Sequence, residues 1–381
     1  MIYWIALFVF YLFALKCNSR LLCKKRHLIC IFGLLFGIAA FNYGLGNDTE
    51  SYINHFYSIP KIDGLSHYDF DNYRFLPFWT VIMSFFKTIC PTYLFYQIVH
   101  AFFINLALLL LFKRYSSNVA LTVILYAILY YFDLNFEIQR ESFCIIIGVV
   151  IFHLMNSIEN KKKFFLLFVA LSALAINIHY SGLILLFYPL IGMININKRS
   201  IIVFYCLCLL LPIIWSSIPN VDFLLAFATD DHFSDYLNQE FNQNRTAFFY
   251  INVVISVVTI PFIMLSMASK YKVSKYMPFA LMCILFESLS QFSFAFHRFA
   301  GYFSPFFWLA LTDVVMYIEK RYRISRSLLI IIVSVFVVYA YRAVYFQYEI
   351  NNHKFVYERY FPYQSIFEDN NNYPYQSNRN F

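Results

Sequence analysis

The sequence predicts an all-α, polytopic membrane helix bundle of about twelve transmembrane helices plus one re-entrant or interfacial helix. Three observations predict it. Of 381 residues, 61% are hydrophobic and 13% charged, where a soluble domain carries about a quarter charged residues. Apolar stretches follow one another from Ile2 to Tyr341, each about as long as a helix that crosses a hydrocarbon core of roughly 30 Å. The runs are continuous, whereas a transmembrane β-barrel shows short segments of alternating hydrophobicity.

The first run, Ile2 to Leu15, has no basic residue ahead of it and no small-residue cleavage pattern behind it. It reads as a retained helix with an outer N-terminus rather than a signal peptide. Lys and Arg stay on the cytoplasmic side of membrane proteins. Six basic clusters therefore mark inner helix ends: residues 16–26, Lys113 with Arg114, Lys161 to Lys163, Lys198 with Arg199, residues 270–275 and residues 320–326. An even number of crossings between consecutive clusters places helices near 2–15, 28–42, 93–112, 118–132, 141–157, 164–178, 181–196, 201–215, 249–268, 277–296, 303–318 and 327–341. Both ends of the chain then lie outside. The run Phe75 to Ile89 would reverse every later cluster as a crossing, so it is expected to re-enter or lie at the interface.

The expected organisation is one transmembrane domain over residues 1–341, with outer loops at 43–74 and 216–248, and an outer tail over 342–381. Most of the acidic residues fall in four outer segments, 43–74, 133–141, 216–248 and 342–381. Acid does not orient membrane proteins, so the clustering points to a polar outer vestibule. The net charge of +8 is spread in short clusters between apolar runs, which is not a nucleic-acid footprint. None of the eight cysteines lies in a long polar loop or has metal-ligand spacing, so neither disulfides nor a zinc site is expected.

Basic residues away from the inner clusters are the informative ones. Arg140 lies between the anchors at Arg114 and Lys161, and Arg298 between those at Lys275 and Lys320. At 1.5 Å per helical residue both stand ~30–40 Å from the inner face, at the outer boundary. Arg245 opens the helix near 249. Guanidinium presents a permanently charged fork of donors that matches phosphate oxygens. An arginine snorkelling to lipid head groups fits the same depth.

His179, in Asn-Ile-His-Tyr-Ser-Gly, sits on a shorter hairpin between Lys163 and Lys198. Arms of ~24–28 Å place it at the floor of an outward-facing depression. Imidazole titrates near neutrality and can take a proton from a hydroxyl, while a histidine bonded to a neighbouring helix carbonyl reads the same in sequence. In the first outer loop Asp48, Tyr52 and Phe56 recur at helical spacing. Asn47 or Asp48 would cap that helix, and Asp48 is a candidate carboxylate. Glu287, with Gln291 one turn on, reads as mid-helix, either functional or a protonated structural acid. Asp313 could pair with Lys320 or Arg321. The tail repeats Pro-Tyr-Gln-Ser at 362–365 and 374–377.

At these residues the chain resembles the O-antigen and exopolysaccharide polymerase family (Wzy), in its EpsG-like branch, over roughly residues 30–310. Three features carry the resemblance: Asp-x-x-x-Tyr after the second helix (Asp48 to Tyr52), Arg140 with the Lys161–Lys163 turn and His179-Tyr180-Ser181, and Arg298-Phe299 to Tyr302-Phe303. The family's commonest Arg-Gln pair is Arg140-Glu141 here.

The resemblance implies a multi-spanning, GT-C-like, metal-independent glycosyltransferase without a cofactor, in a bacterial inner membrane with its active side periplasmic. Its substrate would be an oligosaccharide linked to undecaprenyl diphosphate, and a chain-length regulator is an expected partner. Carried onto this chain, Arg140, Arg298 and Arg245 would hold the diphosphate. His179 and Asp48 would position or deprotonate the acceptor, with Tyr52, Tyr180, Ser181 and Tyr302 contacting substrate. A flippase of lipid-linked sugars is a rival reading, against which no internal repeat is visible. A membrane O-acyltransferase is another, but its donor arrives from the cytoplasm.

Overall fold

A computed structural model describes residues 2–16, 24–46, 48–70, 75–216, 253–271, 274–290, 295–345, 348–349, 354–355 and 359–367. Each of the twelve expected apolar runs is helical over most of its described residues. In order they are α1 (Ile2–Lys16), α2 (Lys25–Ala40), α3 (Thr49–Ser58), α4 (Pro77–Ile89), α5 (Tyr93–Tyr115), α6 (Val119–Leu129), α7 (Gln139–Met155), α8 (Lys161–Ile178), α9 (Tyr188–Gly192), α10 (Lys198–Ser216), α11 (Ile260–Tyr271), α12 (Met277–Ser290), α13 (Ala295–Tyr322) and α14 (Arg326–Tyr345). The loop helix α3 and the short α4 are the two outside the expected crossings. A two-residue ladder pairs β1 (Tyr348–Glu349) with β2 (Lys354–Phe355). Among the described residues, two helices, Tyr93–Tyr115 and Phe296–Tyr322, are long and apolar enough to cross a membrane alone, and seven shorter apolar helices accompany them. The described residues thus bear out an all-helical, largely apolar chain with two helices of full spanning length, and not the expected count of about twelve crossings.

Local chemistry sets several boundaries. Asn118 caps α6 by accepting the Leu121 N–H (3.1 Å), and Asn160 caps α8 by accepting that of Lys163 (3.1 Å). Each satisfies a donor that the first helical turn leaves orphaned. Pro77 opens α4, where a missing N–H costs nothing.

Helix α13 is the axis of the bundle, with 89% of its apolar window buried against 50% for α5. It packs most extensively on α12, and Trp308, Tyr302 and Phe306 on it are fully buried. Two polar contacts cross between buried elements. Asn105 Nδ2 donates to Asn135 Oδ1 (2.8 Å), and Thr122 meets Thr312 hydroxyl to hydroxyl (2.8 Å).

Two expectations are corrected. Asp313 turns away from Lys320 and Arg321. Its helix face is fully buried, so its carboxylate takes the hydroxyls of Ser117 (2.6 Å) and Tyr276 from the neighbouring inner turns. The run at 181–196 is not one α-helix. Tyr180–Phe187 forms eight residues of 3-10 helix before α9, rising about 2.0 Å per residue instead of 1.5 and so reaching ~4 Å further. The hairpin at His179 is therefore less shallow than a pair of α-helices would make it.

The described part of the tail belongs to the fold. Residues 359–367 run beside the first outer segment, with Tyr43 N–H donating to Gln364 O (2.9 Å) and Ile366 N–H to Phe41 O (3.1 Å). The Tyr360 ring stacks on Phe132 at 4.8 Å, and its hydroxyl donates to Glu137 (2.8 Å).

Candidate functional site

The first turn of α7 radiates four consecutive side chains, roughly 100° apart, and each meets a different wall. Gln139 accepts the Tyr93 hydroxyl (2.9 Å) from α5, and Ser142 meets His100 Nε2 (2.8 Å). These two buried contacts pin the helix start. Between them Arg140 and Glu141 project in two other directions.

Glu141 joins the ends of three helices. Its Oε1 lies 3.1 Å from Ser181 Oγ, 3.5 Å from His179 Nδ1 and 3.6 Å from Arg298 Nη1. The Tyr302 hydroxyl, one turn below Arg298 on α13, closes the group 2.8 Å from Ser181 Oγ. His179 ends α8, and its Nδ1 accepts the Ser181 backbone N–H at 3.1 Å. The Ser181 hydroxyl also stands 2.6 Å from Nδ1. Nε2 in turn faces Arg298 Nη1 at 3.4 Å.

Arg140 makes the second cationic wall. Its guanidinium lies 4.6 Å over the Phe75 ring, and its charge acts on the Tyr52 hydroxyl. It is 9% exposed, its Nε has no hydrogen-bond partner, and no carboxylate among the described residues forms an ion pair with it. Burying an uncompensated charge costs several kcal/mol, a cost that a bound anion would offset. His55, whose ring lies 4.3 Å from Phe75, cannot share the role. Burial and the Arg140 charge press its pKa down to about 4. Both Arg140 and Arg298 are close enough for their charges to act on the His179 ring.

The first outer loop is docked onto this wall by its backbone. Gly46 has φ +96°, and a Cβ there would stand 2.6 Å from Phe136 O. Only glycine accepts both conditions. Thr49 Oγ1 then donates to Phe136 O (2.8 Å), tying α3 to the π turn Asp133–Glu137 ahead of Arg140. Asp48 stands at the N-cap of α3 yet makes no side-chain capping bond, so capping does not account for its carboxylate. Its charge reaches Tyr52 together with those of Arg140 and Glu141.

The structure thus gathers His179, Ser181, Arg298 and Tyr302 in one cluster, with Arg140, Tyr52 and Asp48 on the adjoining wall. Tyr180 stands apart, 44% exposed in an outward row with Leu183 and Leu186, because three-residue periodicity puts those positions on the face opposite Ser181's contacts. Arg245 and Gln291 lie outside the described residues. Sequence reasoning missed Glu141 as the hub, and its signal was the acid beside Arg140 where the resemblance carries Gln. It also missed His297, whose Nδ1 pairs with Glu287 Oε1 at 3.4 Å and whose Nε2 lies 3.4 Å from the Tyr130 hydroxyl. Glu287 is therefore not a lone intramembrane acid.

The arginines and His179 lie at helix ends remote from the basic clusters: Lys161 to Lys163 open α8 while His179 closes it, and Arg298 opens α13 while Lys320 and Arg321 close it. The model of the family described as EpsG matches residues 25–365, which includes every described residue of this cluster. The chain belongs to the EpsG family. Membership, with the apolar helices, makes it a membrane protein and supports a polysaccharide polymerase-like role on a lipid-linked substrate. No curated protein and no solved structure matches this EpsG-family chain.

Proposed function

We propose that the chain polymerises lipid-linked oligosaccharide repeats for a bacterial surface polysaccharide, moving the growing glycan from undecaprenyl diphosphate to a sugar hydroxyl of the next lipid-linked repeat. The observation that carries this reading is the buried Arg140, without an ion pair among the described residues, facing the same cluster as Arg298 and His179. Such a site suits a diphosphate. Both arginines stand in the first turn of a helix, where the macrodipole adds to their attraction for an anion.

In the proposed step the acceptor oxygen forms a bond to the anomeric carbon while the bond from that carbon to the phosphate oxygen breaks. The diphosphate leaves with the electron pair, and Arg140, Arg298 and Arg245 take up its charge. His179 donates from Nε2 to a diphosphate oxygen, since Nδ1 is occupied by the Ser181 N–H. That leaves the Asp48 carboxylate to receive the acceptor proton. Tyr52, Ser181 and Tyr302 line the reacting centre. The active side faces away from the cytoplasm, because Arg140, His179 and Arg298 lie opposite the basic clusters that mark the inner face.

Deletion of the gene followed by analysis of surface glycan tests the reading. A polymerase loss leaves single repeats displayed; absence of all repeats would point to a flippase, and full-length chains of altered mass to an acyltransferase. Arg140→Ala, His179→Ala and Arg298→Ala should each give the single-repeat phenotype at normal protein levels. Long chains in all three would overturn the site.

A further inference from the structure

An apolar groove of about 300 Å³ runs between the 3-10 helix and α12, and every side chain lining it is hydrophobic. One wall is Ile184, Phe187, Leu190 and Ile191; Met282 and Phe286 face them from α12. Phe187 and Leu190 are 50% and 62% exposed, so the groove opens sideways, into the apolar belt of the bundle.

Its placement gives it a meaning beyond an ordinary lipid-facing surface. Side chains three apart on a 3-10 helix eclipse one another. Ser181, Ile184 and Phe187 therefore form a single row, whose first member touches Glu141 and Tyr302 and whose next two line the groove. The facing wall makes the same passage. Phe286 stacks 5.7 Å from Phe299 and 5.6 Å from Phe303, the ring pair that follows Arg298, and the next residue, Glu287, pairs with His297. Both walls thus descend from the cationic cluster into a channel without a polar atom to hold a head group.

We infer that this groove holds the isoprenoid chain of the polyprenyl diphosphate whose head sits between Arg140 and Arg298. The inference rests on the reading above and adds where the carrier lies. The ligand is an amphiphile with a compact, strongly anionic head, matching two guanidinium groups at one end and a wholly apolar groove at the other. At 2.0 Å per 3-10 residue and 1.5 Å per α residue, Leu190 stands ~17 Å along the helix from Ser181. Several isoprene units are needed to reach it.

The test uses the full chain in phospholipid nanodiscs and two sugar-free probes, undecaprenyl diphosphate and geranyl diphosphate, whose short chain ends before Leu190. The expectation is that wild type binds the long probe at least about tenfold more tightly. Leu190→Trp combined with Met282→Trp should collapse that preference to near unity while geranyl diphosphate binds as before, which also shows that the variant is folded. An unchanged preference would overturn the groove assignment and leave the head-group site intact. Failure of either probe to bind wild type, or binding indifferent to Arg140→Ala and Arg298→Ala, would instead sink the diphosphate site. If the double variant does not fold, a benzophenone side chain at position 190 decides: a prenyl adduct supports the groove, and phospholipid adducts alone, as expected from the same group at exposed Leu166, refute it.

Discussion

Glu141 pairs with Arg298, 3.6 Å away on α13, and not with Arg140, its neighbour in sequence. One buried carboxylate thereby faces one of two site arginines, and among the described residues no carboxylate forms an ion pair with the other. The asymmetry makes the two cations respond differently to mutation.

Glu141→Gln keeps the shape of the side chain and removes its charge. Removing the carboxylate that faces Arg298 should cost the ligand-free protein about 1–3 kcal/mol, read as a lower Tm. Added diphosphate should restore more of that Tm than it adds to wild type, because the anion substitutes for the carboxylate. Equal shifts in both proteins would contradict the pairing.

Arg140→Met should do the opposite. A flexible apolar side chain against Phe75 removes an unpaired buried charge, so thermal stability should rise while polymer formation falls about 10²–10³-fold, the cost of losing one preorganised donor to a developing anion. Arg140→Lys should recover only part, since a point charge does not reproduce the fork. A destabilised Arg140→Met variant would show that the guanidinium has a protein counter-ion after all.

Gly46→Ala should be costly at a position that touches no substrate. It combines a positive φ with a Cβ 2.6 Å from a backbone oxygen, a penalty on the order of 1–3 kcal/mol. The turn would move Asp48 and α3 off the Arg140 wall, so turnover should fall with little change in diphosphate affinity. Retained turnover would detach the first loop from the site.

His55 gives a pH signature. Its pKa is lowered from 6.5 to about 4 in the fold, so below pH about 6.5 the unfolded chain takes up a proton that the folded one refuses. Stability is complete above that pH and declines as pH falls toward 4, by on the order of 3 kcal/mol. Replacing His55 by Gln should flatten this acid limb in a Tm-against-pH series. An unchanged limb would assign it to other groups.

The described helices follow the apolar runs because an 18- to 20-residue hydrophobic segment has few alternatives to helix when backbone groups lack water. Composition and the spacing of basic residues were therefore enough for helix order, for α3 behind Asp48, and for arginines in the first turns of α7 and α13. Pairing was not legible. That Glu141 reaches Arg298, that Asp313 takes Ser117 and Tyr276, and that Glu287 meets His297 depends on how helices distant in sequence are rotated and docked. The 3-10 form of Tyr180–Phe187 was equally hidden, since its apolar pattern is that of any spanning helix; the close approach of Gly182 to the Ala175 backbone, 2.8 Å from where a Cβ would be, belongs to the packed hairpin alone. Local hydrophobicity sets what each segment becomes, because each segment meets the solvent by itself. Which charges face each other is decided by contacts between segments, and those exist only once the bundle has closed.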